Sequence, residues 1–370
     1  MLNCVTVLLP MAIESPPVLD TLIAWSSSHL AMCHKAYHVR ALEQRSLALT
    51  FFARSLCTGG LSPELSLAGC LVFCSMEAIL GDTSGWYEHL VGASRIIQLA
   101  RGPSALSRTH EGRWLLRNFA YHDILMSVTL DREPLIPGTY WTEGNNGLAD
   151  SYFGLATQPM ASLSRISSFN ADITRMGTCA SVAADSPTCD HGLFQEDPEY
   201  ILPQTPLKLI STRASTMELE LQTWICETSD DRSLVSLAEA YRSAALIHLY
   251  RVIRRHFPLL APAMDEKIAR QVSLIIQHVR DMPLQCLPEC TLLFPLFMAG
   301  GEADCNTHIA FLRQRMLEVA NFRRFGNVNA ALSVLEELWR LRGNAKTSAV
   351  SVPVDWLDIL KRREWKLALS

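Results

Sequence analysis

Apolar residues recur at intervals of three and four along most of this sequence. That spacing puts a single apolar stripe on one face of an α-helix. Strand patterns, in which apolar and polar residues alternate, are nearly absent, so the sequence predicts an all-α fold. Clear stripes are Leu67-Cys70-Leu71-Cys74-Ala78, Trp86-Leu90-Ala93-Ile97, Leu234-Ala238-Tyr241-Ala245-Leu249-Val252, Ile309-Leu312-Met316-Val319 and Ala331-Leu335-Leu338.

The stripes and their flanking residues locate the helices along the chain. Ser62 followed by Pro63 marks one beginning, because serine caps helices and proline suits the first helical position. The expected helices lie near residues 18–34, 39–57, 64–80, 84–100, 108–131, 204–228, 233–256, 264–281, 288–302, 305–325, 328–342 and 354–368.

The segment 133–203 lacks this pattern. Glycine and proline are scattered through it, and serine and threonine are frequent between residues 157 and 188. We interpret it as a long, irregular, partly disordered insertion between two helical halves, about 1–132 and 204–370. Because neither half has enough apolar stripes to look self-sufficient, we predict one large domain, 1–370.

Composition excludes several classes of protein. Charged residues make up 19% and hydrophobic residues 49% of the chain, which excludes bulk disorder. The net charge of −4 argues against DNA binding by electrostatics alone. No apolar run reaches the roughly 20 residues that a membrane helix needs, so no membrane contact is expected. The 11 cysteines form no Cys-x-x-Cys pair, which favours reduced thiols and no metal or other cofactor.

The common catalytic motifs are absent as well. Glycine-rich phosphate loops, a Gly-x-Ser-x-Gly turn and a His-Glu-x-x-His zinc motif do not occur in the sequence. We therefore predict that the protein is not an enzyme.

One all-α enzyme class is kept as the alternative, a Mg²⁺-dependent enzyme of isoprenoid diphosphates like the terpene cyclases. Asn329, Ser333 and Glu337 stand four residues apart, which would put three oxygen ligands on one helix face. Asp230 and Asp231 would supply the second metal motif. The pattern is incomplete, because the further acidic residues that such motifs carry are missing.

The last predicted helix has two interpretations. It mixes acidic with large apolar residues, as do short helices that dock into a groove on a partner protein. In the other interpretation it packs on the rest of the bundle. The candidate partner-binding residues are Trp356, Leu357, Ile359 and Leu360.

Several blocks, in this order and at this spacing, resemble the fungal-specific transcription factor domain, the regulatory region of fungal zinc binuclear-cluster transcription factors. The block at 86–93 contributes the motif residues Trp86, His89, Gly92 and Ala93. The block at 293–303 contributes Pro295, Gly300 and Glu302, and the closing helix contributes Trp339. Further likeness at residues 8–30 and 117–135 extends the resemblance over roughly residues 5–342.

Elementary chemistry assigns these motif residues structural roles. Trp86 and Ala93 are expected to pack inward, and Gly92 to let a neighbouring helix approach closely. Pro295 within an apolar helix predicts a kink. Glu302 at the end of that helix needs a partner if it is buried.

The resemblance implies a nuclear regulator of transcription that controls pathway genes, such as those of metabolism or secondary metabolism. It implies contacts with protein partners, among them the transcription machinery or a DNA-binding relative, as a homodimer or heterodimer, and with a small-molecule effector. The family's six-cysteine zinc cluster is missing from this sequence. We therefore expect no direct reading of DNA by this chain.

Overall fold

The computed structural model describes residues 4–142, 150, 152–184, 206–227, 229–345 and 354–370. Regular structure across these residues is helical, with one isolated bridge between Asp150 and Gly154, and the all-α prediction is confirmed. The first group of helices is α1 (Leu9–Glu14), α2 (Pro16–Cys33), α3 (His38–Cys57), α4 (Pro63–Leu80), α5 (Gly85–Leu99), α6 (Pro103–Leu106) and α7 (His110–Thr129). The second is α8 (Thr157–Ala184), α9 (Pro206–Thr223), α10 (Arg232–His256), α11 (Ala261–Arg280), α12 (Leu293–Glu302), α13 (Asn306–Arg323), α14 (Gly326–Ala345) and α15 (Trp356–Arg363).

Local signals fix several helix ends. The Ser62 side chain accepts a hydrogen bond from the Leu65 backbone N–H, and Pro63 opens α4, as the sequence predicts. Helix α4 ends at Gly81, whose φ of 81° lies in the left-handed region that glycine adopts without strain. Asp355 caps α15 in a reciprocal arrangement with Asp358.

The helices surround two apolar cores. The N-terminal core is built by α1, α2, α4, α5 and α7, together with Phe52 of α3. The C-terminal core is built mainly by α8, α10, α11, α12, α13, α14 and α15. Helix α7 belongs to both, since Leu115 and Phe119 face the first core while Ile124 and Leu125 face the second. It is therefore buried along nearly its whole length.

Helix α8 is the main departure from the sequence prediction. It lies inside the segment 133–203 that was expected to be irregular, and Met160, Ile166 and Phe169 bury completely in the C-terminal core. Its serines made the sequence look like a loop. In the structure Ser167 is buried and its hydroxyl lies 3.2 Å from Nε2 of His248 on α10. The remainder of the predicted insertion falls partly on residues 143–149, 151 and 185–205, which lie outside the described residues.

Smaller differences concern helix boundaries. Residues 288–291, expected to open the helix at 288–302, belong instead to a separate 3-10 turn at 287–291, and α12 begins at Leu293. Helix α15 stops at Arg363 rather than near 368, because Glu364 adopts a left-handed φ of 54°.

Residues 364–370 form a tail that runs between the two cores. Leu367 and Leu369 bury in the C-terminal core, and Ala368 buries in the N-terminal core. The tail is held by its backbone, since the Lys366 N–H donates to the Thr83 carbonyl at 2.7 Å and the Leu367 carbonyl accepts from the Thr129 hydroxyl at 3.0 Å.

Among the described helices, α4 is long and apolar enough to span a membrane by those two criteria alone. In this fold 67% of that span is buried inside the protein, with Leu67, Phe73 and Cys74 completely enclosed. Such burial is what a core helix of a globular domain shows.

Candidate functional site

The motif residues of the first block lie in α5 and face the N-terminal core. Trp86 is 1% exposed, and its indole Nε1 donates to the Lys366 carbonyl at 2.7 Å. The His89 ring stacks on Phe73 with centroids 5.2 Å apart, and burial lowers the pKa of His89. Ala93 is fully buried. These contacts join α5 to α4 and to the tail.

The role predicted for Gly92 is wrong. A Cβ at this position would have only the Cys70 sulfur nearby, at 3.8 Å, which is an ordinary van der Waals contact. The close approach occurs instead at Gly69 of α4, where a Cβ would lie 2.1 Å from the ring of Phe52.

The second block and the closing helix meet each other. Gly300 of α12 faces α14, where a Cβ would lie 2.6 Å from Leu335 Cδ1. The Trp339 indole donates to the Gly300 carbonyl at 2.9 Å. Pro295 falls in the first turn of α12, where its missing N–H has no intrahelical partner to lose, so the predicted mid-helix kink is wrong.

Glu302 belongs to a buried ionic cluster. Its side chain is 4% exposed and pairs with Arg251, which is 3% exposed, and with Arg254 at 2.9 Å. Asp355 also pairs with Arg251, at 2.9 Å. The cluster therefore ties the ends of α10 and α12 to the start of α15.

The candidate partner-binding residues are placed differently from the docking interpretation. Trp356, Leu357, Ile359 and Leu360 are at most 6% exposed and belong to the C-terminal core. The Trp356 ring meets Phe297 edge-on at 5.2 Å. They are unavailable to a partner in this fold, because the apolar face of α15 packs on the bundle.

The proposed metal ligands of the enzyme alternative are engaged by basic residues. Glu337 pairs with both Arg362 and Arg363, and the Ser333 hydroxyl accepts from Arg363 at 3.0 Å. Asp231 caps α10 by accepting from the Ser233 N–H at 2.9 Å. Two arginines on one carboxylate oppose a divalent cation, so the diphosphate-enzyme interpretation is not supported. The described residues contain no group of three or more His, Cys, Asp or Glu arranged to hold a metal ion.

A cavity of about 790 Å³ lies between the two cores. Its wall combines α2, α4 and α7 with α10, α14, the turn at 287–291 and the tail. Exposed Leu287 and Asp231 mark where it meets solvent. Most of its lining is apolar, and the aromatic residues on it are Trp25, Trp114, Tyr121, Tyr152 and Phe325.

A short chain of polar groups crosses this wall. Nε2 of His122 lies 3.2 Å from the Ser75 hydroxyl, and its Nδ1 lies 2.7 Å from the Ser370 hydroxyl. The Asn327 amide donates to the Ser370 backbone oxygen at 3.0 Å. Burial lowers the pKa of His122 to about 4, so its imidazole is neutral near neutral pH.

Five buried polar atoms of wall residues have no hydrogen-bond partner among the described residues. Two are donors, the indole Nε1 atoms of Trp25 and Trp114, two are acceptors, the amide Oδ1 atoms of Asn118 and Asn327, and the fifth is the Tyr121 hydroxyl, which can do either. Leaving such a group unpaired costs about 1–3 kcal/mol. Their concentration around one cavity is the usual mark of a site that binds something.

The carboxylates on the wall are each engaged. Asp150 lies 3.6 Å from Arg117, and Glu289 pairs with Arg315 at 3.1 Å and with Arg323 at 3.7 Å. The three arginines do not themselves line the cavity. Together with the capping role of Asp231, these pairs leave a wall with little charge to offer a ligand.

Sequence reasoning did not find this site. Its residues come from distant segments, so no local motif marks it. The one local signal is the pair Asn118 and His122, which stand four apart on the largely buried helix α7.

Comparison with known proteins bears on the whole chain. The family model described as "Fungal specific transcription factor domain" matches residues 3–370. An uncharacterized transcriptional regulatory protein of Schizosaccharomyces pombe is 22% identical over 386 aligned residues, which cover 97% of this chain and 65% of that protein. The acriflavine sensitivity control protein of Neurospora crassa is 26% identical over 160 residues, covering 39% of this chain and 26% of that protein. The chain thus spans at most 65% of these curated relatives. No solved structure gives a significant match.

Proposed function

The chain belongs to the fungal specific transcription factor domain family, and from that membership we propose that it is a regulatory domain whose state is set by a small molecule in the central cavity. It acts in the nucleus, through contacts with other proteins rather than by reading DNA itself. Family membership makes it a domain of transcription regulators, which are usually not enzymes.

The cavity is the observation that supports effector control. Its wall draws on both cores, with α4 and α7 on one side and α10 and α14 on the other. A ligand that contacts both sides can favour one arrangement of the cores over another, and its effect equals its difference in affinity for the two. The tail takes part, because Ser370 lies on the wall while Lys366 is bonded to Trp86.

Protein contacts are supported by the surface of α2 and α3. Large apolar side chains stand in solvent there, among them Leu30 at 41%, Val39 at 67%, Leu47 at 49% and Phe51 at 43% exposure. The proposed partners are the transcription machinery or a DNA-binding relative, with which this chain would form a homodimer or heterodimer. Such a partner would supply the contact with DNA that a net charge of −4 and the missing zinc cluster disfavour.

The regulated genes are proposed from family and relatives alone. Family membership favours pathway genes of metabolism or secondary metabolism. The name of the Neurospora crassa relative concerns sensitivity to acriflavine. Genes that respond to a foreign small molecule are therefore the first set to examine by sequencing transcripts after deletion of the gene.

A tethered reporter tests the proposal. The chain is fused to an unrelated DNA-binding domain upstream of a reporter gene in a fungal host. We expect reporter output to differ from that of the DNA-binding domain alone. Leu287→Trp, which narrows the cavity mouth, should change the output, whereas Leu284→Trp, at a similarly exposed position off the wall, should not. Output equal to that of the DNA-binding domain alone would contradict the proposal.

A further inference from the structure

The chemical character of the cavity wall restricts what can occupy it. None of the described residues that line it is lysine or arginine. Among the guanidinium groups that reach wall residues, Arg117 is paired with the carboxylate of Asp150 and Arg315 with that of Glu289. Transfer of an anion from water into a site without a cation is strongly unfavourable.

The histidine on the wall does not supply the missing positive charge. Burial lowers the pKa of His122 to about 4. Its two ring nitrogens contact the Ser75 and Ser370 hydroxyls, which are neutral and supply no negative charge to favour an imidazolium. The imidazole is therefore a neutral part of the lining.

The unpaired polar groups of the wall residues are neutral and include both donors and acceptors. The indole N–H groups of Trp25 and Trp114 are donors suited to carbonyl or ether oxygens. The amide oxygens of Asn118 and Asn327 are acceptors suited to hydroxyl groups. Trp114, Asn118 and Asn327 are each at least 94% buried, so water does not readily satisfy them in this fold.

From these observations we infer that the cavity binds an uncharged, largely apolar molecule that carries a few carbonyl, ether or hydroxyl oxygens, and that it discriminates against anions. This inference rests on the proposed effector site and names its ligand class. A volume of about 790 Å³ is within the usual range of sites for molecules of drug size. Aromatic faces of Trp114 and Tyr152 suit a flat or ring-bearing molecule.

The test uses two dyes that differ by one charged group, N-phenyl-1-naphthylamine and its sulfonate, 1-anilinonaphthalene-8-sulfonate. Binding to the purified chain is followed by dye fluorescence. We expect the neutral dye to bind at one site per chain with a Kd at least about 30-fold lower than that of the sulfonate. Equal affinity, tighter binding of the sulfonate, or no binding of the neutral dye would overturn the inference.

Two arginine variants locate the binding and test its electrostatic cause. Leu287→Arg puts a cation at the cavity mouth, and Leu284→Arg puts the same cation at a position off the wall. Both side chains are about half exposed, so neither change threatens folding. Leu287→Arg should reduce the preference for the neutral dye by at least about threefold, and Leu284→Arg should leave it unchanged. The same response in both variants would overturn the inference.

The dye-binding and reporter experiments test the ligand class and the proposed function separately. A preference for the sulfonate combined with a responsive reporter would overturn the ligand class alone. Single-site binding of the neutral dye combined with an unresponsive reporter would overturn the proposed function and leave the ligand class standing.

Discussion

The indole of Trp339 donates a hydrogen bond to the Gly300 carbonyl at 2.9 Å. The two residues come from separate motif blocks, on α14 and α12, and the contact is fully buried. It accounts for two motif positions at once, because the helices approach closely where Gly300 has no side chain and the indole satisfies a backbone group at that point.

Gly300→Ala tests this close approach. The new Cβ would lie 2.6 Å from Leu335 Cδ1, so we expect the free energy of unfolding to fall by about 1–3 kcal/mol. Gly343→Ala on the exposed side of α14 is the matched control, because nothing lies within 4 Å of its added Cβ. It should stabilise by about 0.5–1 kcal/mol through helix propensity. Denaturant titration measures both, and equal effects would contradict the packing described.

Arg251→Met tests the buried ionic cluster. Removal of this guanidinium leaves Glu302, which is 4% exposed, with Arg254 alone. We expect a loss of about 3 kcal/mol of unfolding free energy in chemical denaturation, the lower end of the range for breaking a buried ion pair, because Arg254 still compensates part of the Glu302 charge. Arg175→Met, which removes two ion pairs on the surface, with Glu133 and Asp172, should change stability little. A small effect at Arg251 would show that the cluster is solvated.

Trp86→Phe tests how the tail is held. The change removes the N–H that donates to the Lys366 carbonyl, which is worth about 1 kcal/mol. We expect faster amide hydrogen exchange at residues 366–370, while exchange in α13 stays as in the unchanged protein. Exchange accelerated equally everywhere would indicate global destabilisation instead of tail release.

The pH dependence of the unfolding free energy should include a contribution from His122. Its pKa is about 4 in the folded protein against 6.5 for the free side chain, so the unfolded chain binds more protons between these values. The free energy of unfolding therefore falls as pH drops below about 6.5, with a contribution of roughly 1–2 kcal/mol from His122 at pH 5. His122→Gln should make the fall shallower in denaturant titrations at pH 5 and pH 7.5.

Asp123 should have the opposite effect on how the unfolding free energy depends on pH. Burial raises its pKa to about 7 from 3.8, although it accepts hydrogen bonds from the Leu135 and Ile136 N–H groups. The folded state binds the extra proton between pH 3.8 and 7, so Asp123 favours folding more as pH falls through that window. Asp123→Asn should steepen the acid-induced loss of stability, and an unchanged pH profile would contradict this assignment.

Magnesium should have no specific effect. Glu337 is paired with Arg362 and Arg363, so millimolar MgCl₂ should leave the Tm within the shift given by an ionic-strength control with KCl. No release of diphosphate from isoprenoid diphosphates is expected. Release abolished by Glu337→Ala would revive the enzyme interpretation.

Helix positions were predictable because their signals are local. The apolar stripe of α10 and the Ser62–Pro63 start of α4 depend only on residues within a few turns. Helix α8 was not predicted because its many serines are typical of loops. Those serines fit a buried helix because Ser167 contacts His248 and Ser127, which are distant in sequence. Tertiary contacts outweigh intrinsic propensity there.

The cavity could not be predicted from the sequence for a related reason. It exists because α7 packs on two cores that leave a gap beside it, and gaps leave no pattern in a sequence. The same holds for Glu302, where the sequence indicated a need for a partner, but the choice of Arg251 required the fold.

The path of the tail has a consequence for how the protein folds. The N-terminal core is otherwise complete by Met126, yet it receives Ala368 from near the end of the chain. The indole N–H of Trp86 donates to the Lys366 carbonyl, which lies 280 residues later in the chain. Contacts between residues so far apart in sequence form slowly, because loop-closure entropy is lost before the contact stabilises the fold. The N-terminal core should therefore form first with part of its apolar surface uncovered, and packing of the tail should be a late step in folding.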